Sequence, residues 1–129
     1  MILNYDNKGC DELPMKNYLS QILSGQIIKS FISVLDDYWQ ITTDSCTINV
    51  YTKMHVVFGR NKKAEFISSS PDMFIGRTIS HVNLSDDNKP IEVVLNGPEM
   101  IEVQPLSDND NFPERMCLHF NDGRIVVVD

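Results

Sequence analysis

The apolar residues of this 129-residue chain follow one local pattern that occurs twice. Around Gly25 and again around Gly76, an apolar residue lies two positions before the glycine, an isoleucine three positions after it and another apolar residue six after it. Glycine permits a turn, and the β-branched and aromatic residues that follow favour a strand. The pattern therefore predicts two β-repeats, over about residues 23–54 and 74–128.

One short helix is predicted before the first repeat. Residues 1–13 have a turn-rich composition, and Pro14 suits the first turn of a helix. Apolar residues then recur at three-and-four spacing over residues 15–23, which predicts one apolar helical face. Gly25 fits the left-handed position that ends such a helix. A helix this short needs to pack on the sheet to be stable.

The strands of the first repeat are read from β-rich runs. Residues 26–34 predict a strand in which Ile28 and Ile32 share one face. Residues 38–51 alternate in a way that predicts a hairpin. Residues 52–72 are compatible with strands or with irregular structure, and the sequence leaves both open.

The second repeat is predicted to contain a strand over residues 76–84 and two hairpins. The first hairpin spans residues 91–103, and Pro98 in its loop lacks the N–H that a two-residue turn needs, so we expect a longer loop. The second closes on Asp122-Gly123, a pair typical of a two-residue type I′ turn, which would place Phe120 opposite Ile125. Both sides of this hairpin are apolar, which predicts a position inside the sheet.

Together these elements predict one α+β domain over residues 1–129, mainly antiparallel β-sheet built from two β-repeats, with one short N-terminal helix packed on it. Hydrophobic residues make up 42% of the chain, enough for a packed core. No apolar run approaches the roughly 20 residues that span a bilayer, and the N-terminus does not have the pattern of a secretory signal. We therefore expect a cytoplasmic protein that does not bind membranes.

Residues able to carry chemistry are few and scattered. They are the cysteines Cys10, Cys46 and Cys117 and the histidines His55, His81 and His119. The cysteines form no CxxC pair, which favours packing roles in a reducing compartment. The histidines lack zinc-site spacing, and no nucleotide-binding or nucleophile motif occurs. The sequence therefore predicts no enzymatic activity, no metal and no cofactor.

The net charge of −7 comes entirely from the second part of the chain. Residues 1–83 carry eight acids and eight bases, whereas residues 84–129 carry ten acids and three bases. An acidic surface repels nucleic acid and attracts basic proteins. We therefore expect no nucleic-acid binding, and we interpret the basic cluster at residues 53–63 as a solvated loop.

Three features resemble one known group of proteins. They are the G-x-x-I strand starts, the hairpin that contains Trp39, and the segment 113–127 with its P-E-x-x-x-L-x-F-x-D-G pattern. Over residues 25–51 and 76–128 the chain resembles the small immunity proteins of bacterial polymorphic toxin systems, with contact-dependent growth inhibition immunity proteins as the nearest subset. The resemblance implies that the protein neutralises one cognate toxin, often a nuclease, by binding tightly over its active site.

Charge supports the same kind of partner, because a toxin that acts on nucleic acid tends to be basic and an acidic inhibitor complements it. We therefore expect the second repeat to bind the toxin through carboxylates and one apolar anchor. The predicted partner-binding residues are Asp86, Asp87, Glu99, Glu102, Asp108, Asp110, Phe112 and Glu114.

Two alternatives remain open at this point. The chain could be a structural or adaptor domain that binds a protein unrelated to toxins through the edge of its sheet. It could also be an enzyme of unrecognised type, which would show a deep pocket with several converging titratable groups.

Overall fold

A computed structural model describes residues 2–5, 15–58, 63–65, 71–84, 89–107 and 114–128. One α-helix, α1 (Met15–Leu23), and a short 3₁₀ helix (Pro71–Phe74) accompany the strands. The strands are β1 (Ile2–Tyr5), β2 (Ser30–Val34), β3 (Tyr38–Thr42), β4 (Cys46–Val50), β5 (Met54–Phe58), β6 (Lys63–Glu65), β7 (Ile79–Asn83), β8 (Ile91–Leu95), β9 (Glu99–Val103), β10 (Met116–Phe120) and β11 (Ile125–Val128). None of the helices in these ranges has the length and apolarity to cross a membrane.

The strands form two sheets that enclose the core. The six-stranded sheet has the order β1-β11-β10-β4-β3-β2, and the five-stranded sheet has the order β6-β5-β9-β8-β7. All pairings between these strands are antiparallel except that of β1 with β11. The predicted fold class, mainly antiparallel β with one short helix near the N-terminus, is confirmed.

The two glycine patterns meet at the centre of the molecule. The Gly25 N–H donates to the Ile79 carbonyl and the Gly76 N–H to the Ile28 carbonyl, both at 2.8 Å. Each glycine has a positive φ, 84° and 86°, which is the conformation that glycine adopts without strain. The apolar residues of the pattern are all at most 3% exposed: Leu23, Ile28, Phe31, Phe74, Ile79 and Val82. The repeated pattern is therefore the centre of the core.

The remaining strands correspond in pairs between the two parts of the chain. The meander β2-β3-β4 matches β7-β8-β9, and each meander is followed by a hairpin that joins the other sheet. Met54 of β5 lies opposite Val103 of β9, and Met116 of β10 lies opposite Val50 of β4 in the same register. The two parts are therefore interlocked, with each sheet containing strands from both.

The two helices cover the edges of the opposite meanders. In α1, Leu19 is fully buried, and the Ser20 hydroxyl accepts a 3.2 Å hydrogen bond from the Val82 N–H on the edge of β7. The 3₁₀ helix places Phe74 against Phe31 of β2, with ring centroids 5.8 Å apart. The predicted helix and its packing on the sheet are confirmed.

Two predicted strands are shorter than expected. The predicted strand over 26–34 begins at Ser30, and the one over 76–84 spans Ile79–Asn83. Ile28 is 1% exposed and Ile32 is 50% exposed, so they do not share a face. At the start of each repeat the buried positions are three residues apart, Ile28 and Phe31 in the first and Ile79 and Val82 in the second. In β7 the pairing register shifts between Ile79 and His81, which is a bulge that breaks period-two alternation.

The register predicted for the last hairpin is wrong by one residue. Ile125 lies opposite His119, not Phe120. The Gly123 N–H donates to the Phe120 carbonyl at 3.0 Å, and Gly123 alone in this loop has a positive φ, so the connection has three residues. Its predicted position inside the sheet is confirmed, because β10 and β11 both have neighbours on each side.

The structure forms strands in two further segments for which the sequence did not predict them. Residues 2–5 form β1, although the composition of residues 1–13 is turn-rich. Within residues 52–72, which the sequence left open, β5 and β6 form a hairpin. The loop predicted to be longer than two residues between β8 and β9 has three, residues 96–98, and is confirmed.

Candidate partner-binding surface

The outward positions of five strands of the six-stranded sheet carry no formal charge. Alternation along β2, β3, β4, β10 and β11 sends core residues inward and leaves rows of side chains that point outward, two of which cross all five strands. One row is Ile32, Gln40, Asn49, Cys117 and Val127, and the next is Ser30, Thr42, Thr47, His119 and Ile125. No Asp, Glu, Lys or Arg occupies an outward position of these five strands. In a chain that is 22% charged, such depletion is typical of the centre of a protein interface.

Two tyrosines lie at one end of this side. The rings of Tyr38 and Tyr51 are 5.3 Å apart at an interplanar angle of 59°. Next to them the Gln40 side-chain amide donates to Asn49 Oδ1 at 3.1 Å. We call this surface the tyrosine face. Its residues are Ile32, Val34, Tyr38, Gln40, Asn49 and Tyr51.

Burial raises the pKa of Tyr51, opposed by a hydrogen bond with Asn49 and reinforced by the nearby Cys117 and Glu114. The phenol therefore stays neutral at physiological pH. A neutral tyrosine offers a large apolar ring together with one hydroxyl group that can donate and accept hydrogen bonds, which is why tyrosine is common at interfaces.

The outward side of the five-stranded sheet has a different chemistry. Across β5, β9, β8 and β7, one row brings together His55, Glu102, Glu92 and Asn83. Asn83 donates to Glu92 Oε1 at 3.1 Å. The two sides of the molecule therefore differ, one uncharged and one acidic.

Five of the eight predicted partner-binding residues lie outside the described residues. These are Asp86, Asp87, Asp108, Asp110 and Phe112. Their role stays a prediction. The other three, Glu99, Glu102 and Glu114, occupy three different environments.

Glu99 belongs to an ion pair within the fold. Arg77 Nη2 lies 2.8 Å from Glu99 Oε2, and Arg77 also donates to the Asn96 carbonyl through Nε at 3.1 Å. The hydrogen bond from Arg77 lowers the pKa of Glu99 below its ordinary value. This carboxylate fastens the β8–β9 loop to the strand that follows Gly76.

Glu102 has little surface to offer a partner. It lies on the acidic side of the five-stranded sheet and is 5% exposed. A total of charges in the sequence cannot distinguish a carboxylate of this kind from an exposed one, because burial depends on which strands become neighbours.

Glu114 lies beside the tyrosine face. It is half-buried, and its charge acts on both Tyr51 and Cys117. At the same end of the sheet, Asp36 and Asp37 are exposed in the β2–β3 turn. These three carboxylates form an acidic border along one end of the uncharged surface.

The described cysteines have the properties of packing residues. Burial raises the pKa of both Cys46 and Cys117, so both thiols are protonated at neutral pH, unlike an activated nucleophile. Cys117 Sγ lies 3.4 Å from His119 Nε2. Within the described ranges, no three His, Cys, Asp or Glu side chains are placed to hold a metal ion.

Sequence reasoning missed the tyrosine face, although a signal was present. Along β3 and β4, the outward positions alternate with core residues and are all aromatic or uncharged polar, and the charged Asp44 lies in the turn between the two strands. A hairpin whose solvent side lacks charge is unusual, because that side normally carries charged residues. Attention to the composition of the outward positions would have found it.

Comparison of the chain with protein-family models, with curated proteins and with solved structures gives no match.

Proposed function

We propose that the protein is an immunity protein that binds one cognate bacterial toxin in the cytoplasm and blocks its active or substrate-binding surface. It acts by binding and catalyses no reaction of its own. The observation that carries the proposal is the tyrosine face, an uncharged outward surface on an otherwise charged molecule.

The composition of this face suits a protein partner. Interface centres are poor in charged residues and rich in tyrosine, and a polar border surrounds them. The face combines two tyrosines in ring contact with partly exposed aliphatic and amide side chains. Such a surface contributes little stability while water covers it. It contributes favourable binding free energy when a complementary protein covers it.

The size of the sheet is consistent with a stable complex. Six strands of about five residues span roughly 30 Å by 17 Å, from the usual strand spacing and rise. A standard interface covers about 800 Å² on each partner. The side of the sheet supplies over half of this area, and the adjoining turns can supply the rest.

The border indicates the charge of the partner. Asp36, Asp37 and Glu114 lie at one end of the face, and the chain as a whole carries −7. Negative charge around an apolar centre speeds association with a basic protein and discriminates against acidic ones. A toxin that binds nucleic acid has the required positive charge.

The test is a growth assay with the reading frame directly upstream of this gene. Its C-terminal region is induced in bacteria with and without this protein. We expect growth to stop without the protein and to be restored with it, and we expect the two purified proteins to form a complex on size-exclusion chromatography. An upstream product that is not toxic, or a toxin that the protein does not neutralise, contradicts the proposal.

A matched pair of variants tests whether the face is responsible. Tyr38→Ser with Tyr51→Ser alters the tyrosine face, and Val57→Ser with Val94→Ser alters outward positions on the five-stranded sheet. Protection should be lost with the first pair and kept with the second, with both variants folded by circular dichroism. A complex with a harmless upstream product would instead favour an adaptor domain.

A further inference from the structure

The tip of the β2–β3 hairpin has an unfavourable backbone conformation. Val34 pairs with Tyr38, so the loop has three residues, 35–37, and the Asp37 N–H donates to the Val34 carbonyl at 2.9 Å to close a turn with Leu35 and Asp36 at its centre. Both central residues have positive φ, 53° and 55°. These are the only non-glycine residues with positive φ in the described part of the chain. Positive φ at both central positions of a turn favours asparagine and glycine, and a leucine in this conformation is strained.

Leu35 also contributes almost no burial to the fold. It is 91% exposed, far more than any other large apolar residue among those described. Its place in the turn thus costs backbone energy, and its side chain recovers none of that energy in the core. The fold alone gives no physical reason for leucine at this position.

A second exposed apolar residue lies in the same hairpin. Ile32 of β2 is 50% exposed and points to the tyrosine face, opposite Gln40. Val34 and Tyr38 form the pair between Ile32 and the tip on that side. The aliphatic residues therefore continue from the tyrosine face to the outermost point of the turn.

The charge around the tip is negative. Asp36 and Asp37 are exposed within the turn, and Glu114 lies at the same end of the sheet next to Arg115, whose side chain is buried. Lys29 is at the opposite end of the hairpin, where its Nζ lies 3.2 Å from Asp44 Oδ1. An apolar projection with an acidic border complements an apolar pocket that is bordered by lysine or arginine.

We propose that Leu35 and Ile32 form an anchor that inserts into an apolar pocket with a basic border on the partner protein. This rests on the proposed function for the identity of the partner and adds the point of attachment to it. Leucine at the tip then contributes to binding affinity, although it lowers the stability of the turn.

The experiment has two arms, and the first needs no partner. Urea unfolding compares the wild-type chain with Leu35→Asn, since asparagine adopts positive φ with less strain. We expect a higher urea midpoint with an unchanged slope. A lower midpoint would show that Leu35 serves the fold, and it would overturn the proposal.

The second arm is calorimetric titration with the C-terminal toxin region encoded upstream. Leu35→Asn and Ile32→Thr should each weaken binding by at least about ten-fold, as expected for anchor residues. Leu35→Met should retain affinity, and Val57→Thr on the other sheet should have no effect. Equal affinity of Leu35→Asn and wild type would overturn the anchor while leaving the proposed function intact.

Two other outcomes are also decisive. If the upstream product does not bind the wild-type protein, the proposed function fails. The urea unfolding of Leu35→Asn then still shows whether Leu35 stabilises the fold. If light scattering shows a wild-type dimer that Leu35→Asn separates, the tip contacts a second copy of the chain, and the proposal of a foreign partner is overturned.

Discussion

Individual charged residues in this protein differ sharply in what they do. Glu99 and Glu114 have the same chemistry in the sequence, but Arg77 holds Glu99 in an ion pair and Glu114 borders the tyrosine face. The sequence predicted both as partner contacts because it supplies the number of charges without their neighbours. Turn residues such as Gly25 were predictable because their conformation depends on local sterics alone.

The Arg77–Glu99 ion pair predicts a pH-dependent stability. Glu99→Gln should lower the free energy of unfolding by about 0.5–1 kcal/mol at pH 7, as is typical of a partly exposed pair. The folded-state pKa of Glu99 lies below its ordinary value of 4.5, so the stabilisation is present above pH 4.5 and is lost as the pH falls through the lowered value. Urea unfolding from pH 7 to pH 3 measures the difference.

A double-mutant cycle with Arg77→Gln provides the control for this prediction. The coupling between the two side chains should shrink as the pH falls through the lowered pKa and Glu99 takes up a proton. A difference between Glu99→Gln and wild type that stays constant from pH 7 to pH 3 would show that the ion pair is not its cause.

A small gap in the core predicts a stabilising substitution. The gap has a volume of about 20 Å³ and an entirely apolar lining that includes Val93. In the corresponding position of the first repeat, the chain has Ile41. Val93→Ile should therefore fill the gap and leave the stability unchanged or raise it by up to about 1 kcal/mol.

The matched control for the filled gap is Val126→Ile, at a fully buried position that does not line it. Overpacking there should cost about 1–3 kcal/mol. Thermal unfolding of both variants compares the two effects. Equal destabilisation by the two substitutions would show that the gap cannot accept a methyl group.

At the scale of elements, the sequence indicated local features better than long-range ones. The helix α1 and the glycine patterns follow from short-range periodicity and turn chemistry. The bulge in β7 and the one-residue register of the last hairpin depend on how strands pair. A shift of one residue changes the face of every side chain, so a small error in a loop has a large effect on predicted orientation.

The hairpins β5–β6 and β10–β11 occupy corresponding places in the two repeats. Equivalent substitutions in them should therefore lower the free energy of unfolding by similar amounts. Met54 and Met116 occupy matching core positions and are 2% and 1% exposed. Each change to alanine should cost about 2–5 kcal/mol. Met100→Ala, on the outward side of β9, should cost much less, and urea unfolding can rank all three. A near-zero effect at either buried methionine would contradict the proposed correspondence.

For the whole molecule, the main consequence of the topology is that neither part of the chain completes a sheet alone. β10 joins the meander of the first repeat, and β5 joins that of the second. Sequence analysis predicted the two repeats but could not show this exchange, because nothing in a local pattern specifies which meander a following hairpin joins.

The exchange predicts complementation between fragments. Residues 1–68 and 69–129, prepared separately, should show little cooperative unfolding, because each lacks the strands that flank its meander. Mixed in equal amounts, they should form a 1:1 complex with the circular dichroism of the intact chain. Cooperative unfolding of either fragment by itself would show that the exchanged strands are not needed for folding.

The most direct test of the proposed binding surface is an NMR cross-saturation experiment in which the proposed partner, the C-terminal region of the product encoded upstream, is saturated in the presence of the labelled protein. We predict that the signal loss is strongest for outward residues of β2, β3 and β4 and for the turn at residues 35–37. Signal loss centred on the outward residues of β5, β8 and β9 would contradict the assignment of the tyrosine face as the binding surface.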